Sequence, residues 1–150
     1  MRHKTLLLAI CLLTCACERD PASHVAPAAS PSIRLPAVPG RPGAAYFELR
    51  GVGDRGALLS VTSPQVGRIE MHETMTAGTM SSMRPIARVA PENGGIVFRP
   101  GGRHLMLYDV DPRLASGSEA ILVFHFERGE PLRRGAAVLA AGSPGDHDGH

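Results

Sequence analysis

The sequence predicts an all-β domain of the sandwich or small-barrel type, and three observations predict it. Short runs of mixed apolar and polar residues recur at close spacing, each bounded by turn formers. Asn93-Gly94 is a two-residue hairpin signal, because both residues tolerate the positive φ that such a turn demands. No segment sustains the 3.6-residue apolar period of a helix.

The expected strands follow in order. Ala45–Arg50 stops at Gly51, and Ala57–Thr62 lies between Gly56 and Ser63-Pro64. Val66–Glu73 and Met80–Ile86 flank a turn over Thr76–Thr79, so they are expected to pair as a hairpin. Gly95–Arg99 follows Asn93-Gly94, and Arg103–Val110 follows Pro100-Gly101-Gly102. Ala120–Glu127 follows Gly117-Ser118, and Arg134–Ala140 closes the series before Gly142. Together they define one β domain over residues 43–140, long enough for a single core.

What lies outside that domain reads differently. Arg2 and Lys4 precede an apolar run from Leu6 to Leu13, the pattern of a secretory signal over residues 1–16. The run is too short to span a bilayer, which takes about 20 apolar residues. Ala16-Cys17 resembles the end of a bacterial lipobox, so Cys17 is the expected acylation site, with Cys15 a weaker candidate. The mature chain is then expected in the periplasm, held to the membrane by lipid. Residues 17–42, rich in Pro, Ala and Ser, read as an extended tether, and residues 141–150 as a polar tail.

Cleavage also resets the charge. The whole chain carries 16 cationic and 14 acidic residues. Losing Arg2 and Lys4 leaves 14 arginines against 14 acidic groups, and a neutral chain argues against binding nucleic acid. All three cysteines, Cys11, Cys15 and Cys17, lie in the leader or at its end. The β domain therefore has neither a disulfide nor a thiolate ligand.

The residues that carry chemistry are His72, Met75, Met80, Met83, His104 and Met106. Five of the six methionines fall between residues 71 and 106. In a hairpin whose opposed residues sum to 155, His72 faces Met83 and Met75 faces Met80. His104 and Met106, two apart on one strand, share a face. Two such pairs brought together make a site of two imidazoles and two thioethers. Thioether sulfur is soft and uncharged and selects Cu(I), whereas zinc takes thiolate, imidazole or carboxylate and calcium takes oxygen. Blue-copper electron transfer needs a cysteine that the domain lacks. Met71 lies on the opposite face from His72 and reads as core. Met75 and Met80 read as packing or as secondary thioether ligands.

These residues resemble the periplasmic copper chaperones called PCu(A)C. That family's motif is His, ten residues, Met, twenty-one residues, then His-x-Met. Here ten residues separate His72 from Met83, and twenty separate Met83 from His104-Leu105-Met106. The flanks AYFELR, HETMTAGTMSSMRP, RPGGRHLML and LVFHFERGE agree with it. The resemblance spans roughly residues 42 to 140. It implies a cupredoxin-like Greek-key β fold, with Cu(I) bound by His72, Met83, His104 and Met106. It also implies copper delivery to the CuA centre of cytochrome c oxidase, alongside a Sco-like copper protein.

Two readings stand beside that one: a copper-buffering or resistance lipoprotein, and a structural lipoprotein domain that binds no metal. No nucleophile–base pair or paired-carboxylate site points to an enzyme. His147 and His150, with Asp146 and Asp148, offer nitrogen and oxygen donors that suit Cu(II), the alternative being a solvated end. His125 shares a face with Ile121 and Val123 and reads as structural.

Overall fold

Alternation of side chains builds the sheet. In β2 (Gly43–Arg50), Ala45, Phe47 and Leu49 are buried while Ala44, Tyr46 and Glu48 are partly open to solvent. The same period of two governs β7 (Arg103–Val110), where Leu105 and Leu107 enter the core. The computed structural model describes residues 29–143. The leader, Cys15, Cys17, His147 and His150 lie outside the described residues.

Seven more strands complete the set: β1 (Ser32–Arg34), β3 (Leu58–Thr62), β4 (Val66–Ala77), β5 (Met80–Pro85), β6 (Gly95–Phe98), β8 (Glu119–Phe126) and β9 (Leu132–Leu139). The only helical element among the described residues is a single 3-10 turn at Gly53–Arg55. The all-β class and all eight expected strands are thus observed, with ends shifted by a few residues. Pairing runs β3-β8-β9-β1-β2-β7-β4-β5, and β6 pairs with the second half of β2. All pairs are antiparallel except β1 with β9.

This path curls on itself. In pairing order β9 and β1 separate β8 from β2, a gap of roughly 14 Å across a flat sheet at ordinary strand spacing. Yet the rings of Phe47 on β2 and Phe124 on β8 meet edge to face, with centroids 4.8 Å apart. Phe98 on β6 stacks on the other side of Phe47 at 4.4 Å. The strands therefore wrap one apolar interior, which includes Ile33, Leu58, Leu105, Leu107 and Leu122. β2 serves both layers. Residues 43–46 pair with β7 and β1, and residues 47–50 pair with β6.

Two expectations need correcting. The tether does not run unbroken to residue 42, because Ser32–Arg34 is a strand between β9 and β2 and Ile33 is fully buried. Pro31 and Pro36 hide it in the sequence by composition. Proline before or after so short a strand removes no donor that its ladder needs.

The β4–β5 hairpin is also two residues out of the expected register. Opposed residues sum to 157: His72 faces Pro85, Thr74 faces Met83, Met75 faces Ser82, and Ala77 faces Met80. The cause is a tighter turn. Gly78 takes φ +61 and closes a two-residue Gly78-Thr79 connection, with glycine at the first central position as a II′ turn requires. A slip of two leaves every side chain on its original face. His72 and Met83 still share one face, and Met75 and Met80 the other. The Asn93-Gly94 turn is as expected, with φ of 50 and 75 and a bridge between Glu92 and Gly95.

Candidate metal centre

β4 and β7 run antiparallel with His72 directly opposite His104 and Glu70 opposite Met106. The core side of these strands holds Met71, Leu105 and Leu107. Alternation then sends His72, His104 and Met106 to the far face. The two imidazole centroids lie 6.0 Å apart. Met83 reaches that face from β5, one strand further out, through its pairing with Thr74. Met83, His104 and Met106 line a single open groove of about 420 Å³.

His104 is 8% exposed and is the sole buried polar residue among those described. Burying a polar group without partners is costly, and His104 has one. Its Nδ1 lies 3.0 Å from the carbonyl oxygen of Gly102. A carbonyl only accepts, so Nδ1 carries the proton and Nε2 keeps a free lone pair. The turn of Pro100, Gly101 and Gly102 makes this possible. Gly101 adopts φ +74, and Gly102 N–H donates to the Arg99 carbonyl at 3.1 Å. The Gly102 carbonyl also accepts from Thr74 N–H at 3.1 Å, which ties the turn to β4.

His72 shows the mirror arrangement. Its Nε2 donates to the Glu70 carboxylate at 3.0 Å, and its Nδ1 is buried with no hydrogen-bond partner among the described residues. Glu70 also pairs with Arg68, whose guanidinium lies 3.9 Å over the Tyr108 ring. The bond to His72, foremost, and the nearby Arg68 charge hold the Glu70 carboxyl below its ordinary pKa. Tyr108 O–H in turn approaches the Met106 sulfur at 3.7 Å. One connected set of side chains thus braces a candidate imidazole and a candidate thioether together.

Histidines that bind metals almost always donate their second ring N–H to a carboxylate or a backbone carbonyl. Both histidines here do so, one to each kind of acceptor. The buried, partnerless Nδ1 of His72 is an unmade interaction that a metal ion would satisfy. Among the described residues no three His, Cys, Asp or Glu side chains cluster as a metal site. The additional donors at this face are the two thioethers, and a set of two imidazoles and two thioethers suits a soft cation.

The remaining sequence candidates fall elsewhere. Met75 and Met80, 49% and 75% exposed, sit on the opposite face of the hairpin from His72 and Met83. His125 lies 2.9 Å from the Thr62 hydroxyl on the β3–β8 pair. Arg68 and Glu70 share the His72 face by alternation along β4, but their bracing contacts follow from the fold and not from any sequence pattern. Tyr108 was also missed, although it stands two residues from Met106 on the same face.

Residues 23–138 match the family described as LpqE-like lipoprotein. The chain is 31% identical over 87 residues to RP573, an uncharacterized protein of Rickettsia prowazekii (strain Madrid E). That alignment covers 56% of this chain and 48% of RP573, so the chain spans about half the length of the curated relative it matches. Among solved structures it is similar to the copper-bound PCuAC domain from PmoF2, with TM-score 0.59 and 23% identity over 75% of this chain and 91% of that one. It is also similar to apo-DR1885 from Deinococcus radiodurans, with TM-score 0.52 and 21% identity over 93% and 97% of the two chains. The CuI form of DR1885 matches with TM-score 0.54 and 22% identity over 73% and 75%. The cupredoxin-like β fold implied by the sequence resemblance is therefore the fold observed. The chain belongs to the LpqE-like lipoprotein family, and its fold is that of a PCuAC domain.

Proposed function

We propose that this protein is an extracytoplasmic copper carrier that binds Cu(I) through His72, Met83, His104 and Met106. The observation that carries the reading is the opposed imidazole pair. Each ring has one nitrogen committed to an acceptor and the other left for a metal, and His104 shares one groove with the two thioethers. Support also comes from the relatives of the same fold, two of which are described as copper-bound or CuI forms. Neutral ligands, one of them on an exposed outer strand, suit holding and passing an ion rather than transforming a substrate. The carrier works from the periplasmic side of a membrane, anchored through lipid on Cys17. Its acceptor is the CuA-bearing subunit of cytochrome c oxidase, with a Sco-like protein in the same route.

The test is Cu(I) competition against a chromophoric chelator under reducing conditions. His72→Ala and Met106→Ala should each weaken binding by about 100-fold, roughly 3 kcal/mol. Met83→Ala, which removes a side chain 60% exposed, should cost about tenfold. Circular dichroism should show all three folded. Wild-type affinity in all three variants would remove the site. Oxidase activity in a copper-limited deletion strain tests delivery separately, and an undiminished activity would contradict that role.

A further inference from the structure

Sheet register places one arginine beside the proposed copper ligands. Arg34, the last residue of β1, pairs with Ala44 on β2, and Ala44 pairs with Met106 on β7. Residues directly opposed across strands share a face, so Arg34 and Met106 project on the same side. Two strand spacings, about 10 Å, separate their backbones. Only the methyl group of Ala44 stands between them, and all three residues line the groove.

Arg34 is also the groove's charge. Among the described residues lining it, Arg34 alone carries a permanent charge, and no aspartate or glutamate is present. None of the ion pairs among the described residues includes Arg34. Its Nε is buried and has no hydrogen-bond partner among the described residues. The guanidinium stands 5.8 Å from the centroid of the Tyr46 ring, which flanks the cation but does not replace an acceptor for Nε. A planar, forked cation is complemented by a planar anion with two oxygens. One cation among apolar walls such as Leu35 and Pro42 matches a single negative charge, which favours a carboxylate over a phosphate dianion.

Resting on the copper reading above, we propose that the Arg34 end of the groove is a subsite for a carboxylate of the molecule that exchanges copper with this chain. Arg34 holds that carboxylate over Ala44 and so brings the incoming copper-binding atoms beside Met106. Each new bond to the ion replaces a bond to a thioether, and the ion remains Cu(I) throughout. Arg34 is a positioning residue. The exchanging molecule is thereby specified as one that bears a carboxylate close to its own copper donor.

Two measurements test this. The first is NMR of the full chain, ¹⁵N-labelled and free of metal, titrated with acetate at constant ionic strength. The Arg34 Nε–Hε signal and the amides of Ala44 and Tyr46 should shift saturably, while amides of β3 and β8 should not. Arg34→Gln should abolish the amide response. The second is stopped-flow transfer of Cu(I) from the loaded protein to bicinchoninate, which carries two carboxylates, and to its uncharged diamide. Arg34→Gln should slow transfer to the dicarboxylate about tenfold, leaving the diamide rate and the equilibrium Cu(I) affinity unchanged. Arg34→Lys, which keeps the charge without the fork, should recover part of the rate. Equal slowing with both chelators, or no slowing with either, would overturn the subsite, as would an acetate titration without saturable shifts. An Arg34 signal that moves in Asp146→Asn/Asp148→Asn before acetate is added would assign the subsite to the chain's own carboxylates and overturn an external occupant. A protein that retains no Cu(I) contradicts the copper reading, whereas retained copper with rates indifferent to Arg34 contradicts the subsite alone.

Discussion

Glu70 does for His72 what the Gly102 carbonyl does for His104: each accepts one ring N–H and so decides which nitrogen is left for a metal. The two devices differ in what can break them. The carbonyl is held by a glycine turn and by Thr74 N–H, whereas Glu70 is a single half-buried side chain. Removing such a supporting group typically costs 10–100-fold in metal affinity. Glu70→Ala should therefore weaken Cu(I) binding by about that factor, while Glu70→Gln, which retains an oxygen acceptor, should lose much less. Ring ¹⁵N shifts of His72 give a readout that loss of packing alone would not move. They should report a protonated Nε2 in wild type and in Glu70→Gln, and a mixture of tautomers in Glu70→Ala. At this scale the sequence offered candidates and was mute about their partners. Spacing picked out His72, Met83, His104 and Met106, but which ring nitrogen each acceptor engages depends on cross-strand neighbours that no local pattern records.

The β4–β5 hairpin shows the same division at the level of the element. Its existence was legible in the polar turn between two short runs, and its register was not. Gly78 could have been read as part of a four-residue loop or as the first central residue of a tight turn, and only the second fits φ +61. Parity rescued the site, because a shift of two keeps Met83 on the face of His72. A non-glycine residue at that φ costs about 1–2 kcal/mol. Gly78→Val should therefore loosen the hairpin locally. Hydrogen exchange should show β5 amides losing protection in the variant while those of β8 keep theirs. Uniform protection along β5 would mean that the turn does not set the pairing. β1 was hidden for a different reason. Three residues between prolines give no period to read, and their pairing with β9 and β2 is wholly non-local.

For the whole molecule, the fold class could be read from turn chemistry and alternation, but the way β2 is shared between two layers could not. The direct antiparallel pairing of β4 with β7 is equally non-local, and it sets the two histidines opposite each other. The loop after β7 contributes a pH-sensitive clasp. Arg113 donates to both Asp111 oxygens, at 3.0 and 2.7 Å, and its backbone N–H adds a third bond at 2.9 Å. Side-chain bonding to Arg113, foremost, pulls the Asp111 pKa from 3.8 down to about 2. A carboxyl with a lowered folded-state pKa contributes stability above its unfolded value. That contribution is lost as pH falls from 3.8 toward about 2. Asp111→Asn should therefore be less stable than wild type at pH 5, and the gap should narrow by pH 2 in urea unfolding. A gap that stays constant with pH would show that the clasp does not form in solution.

The proposed copper site is defined by the chemical identity of the donors around one ion. X-ray absorption of the protein loaded with one equivalent of Cu(I) reads them directly. It should show a mixed shell of imidazole nitrogen and thioether sulfur, with the sulfur contribution reduced in Met106→Ala. A shell of nitrogen and oxygen alone, or a protein that retains no copper after desalting under reducing conditions, would contradict it.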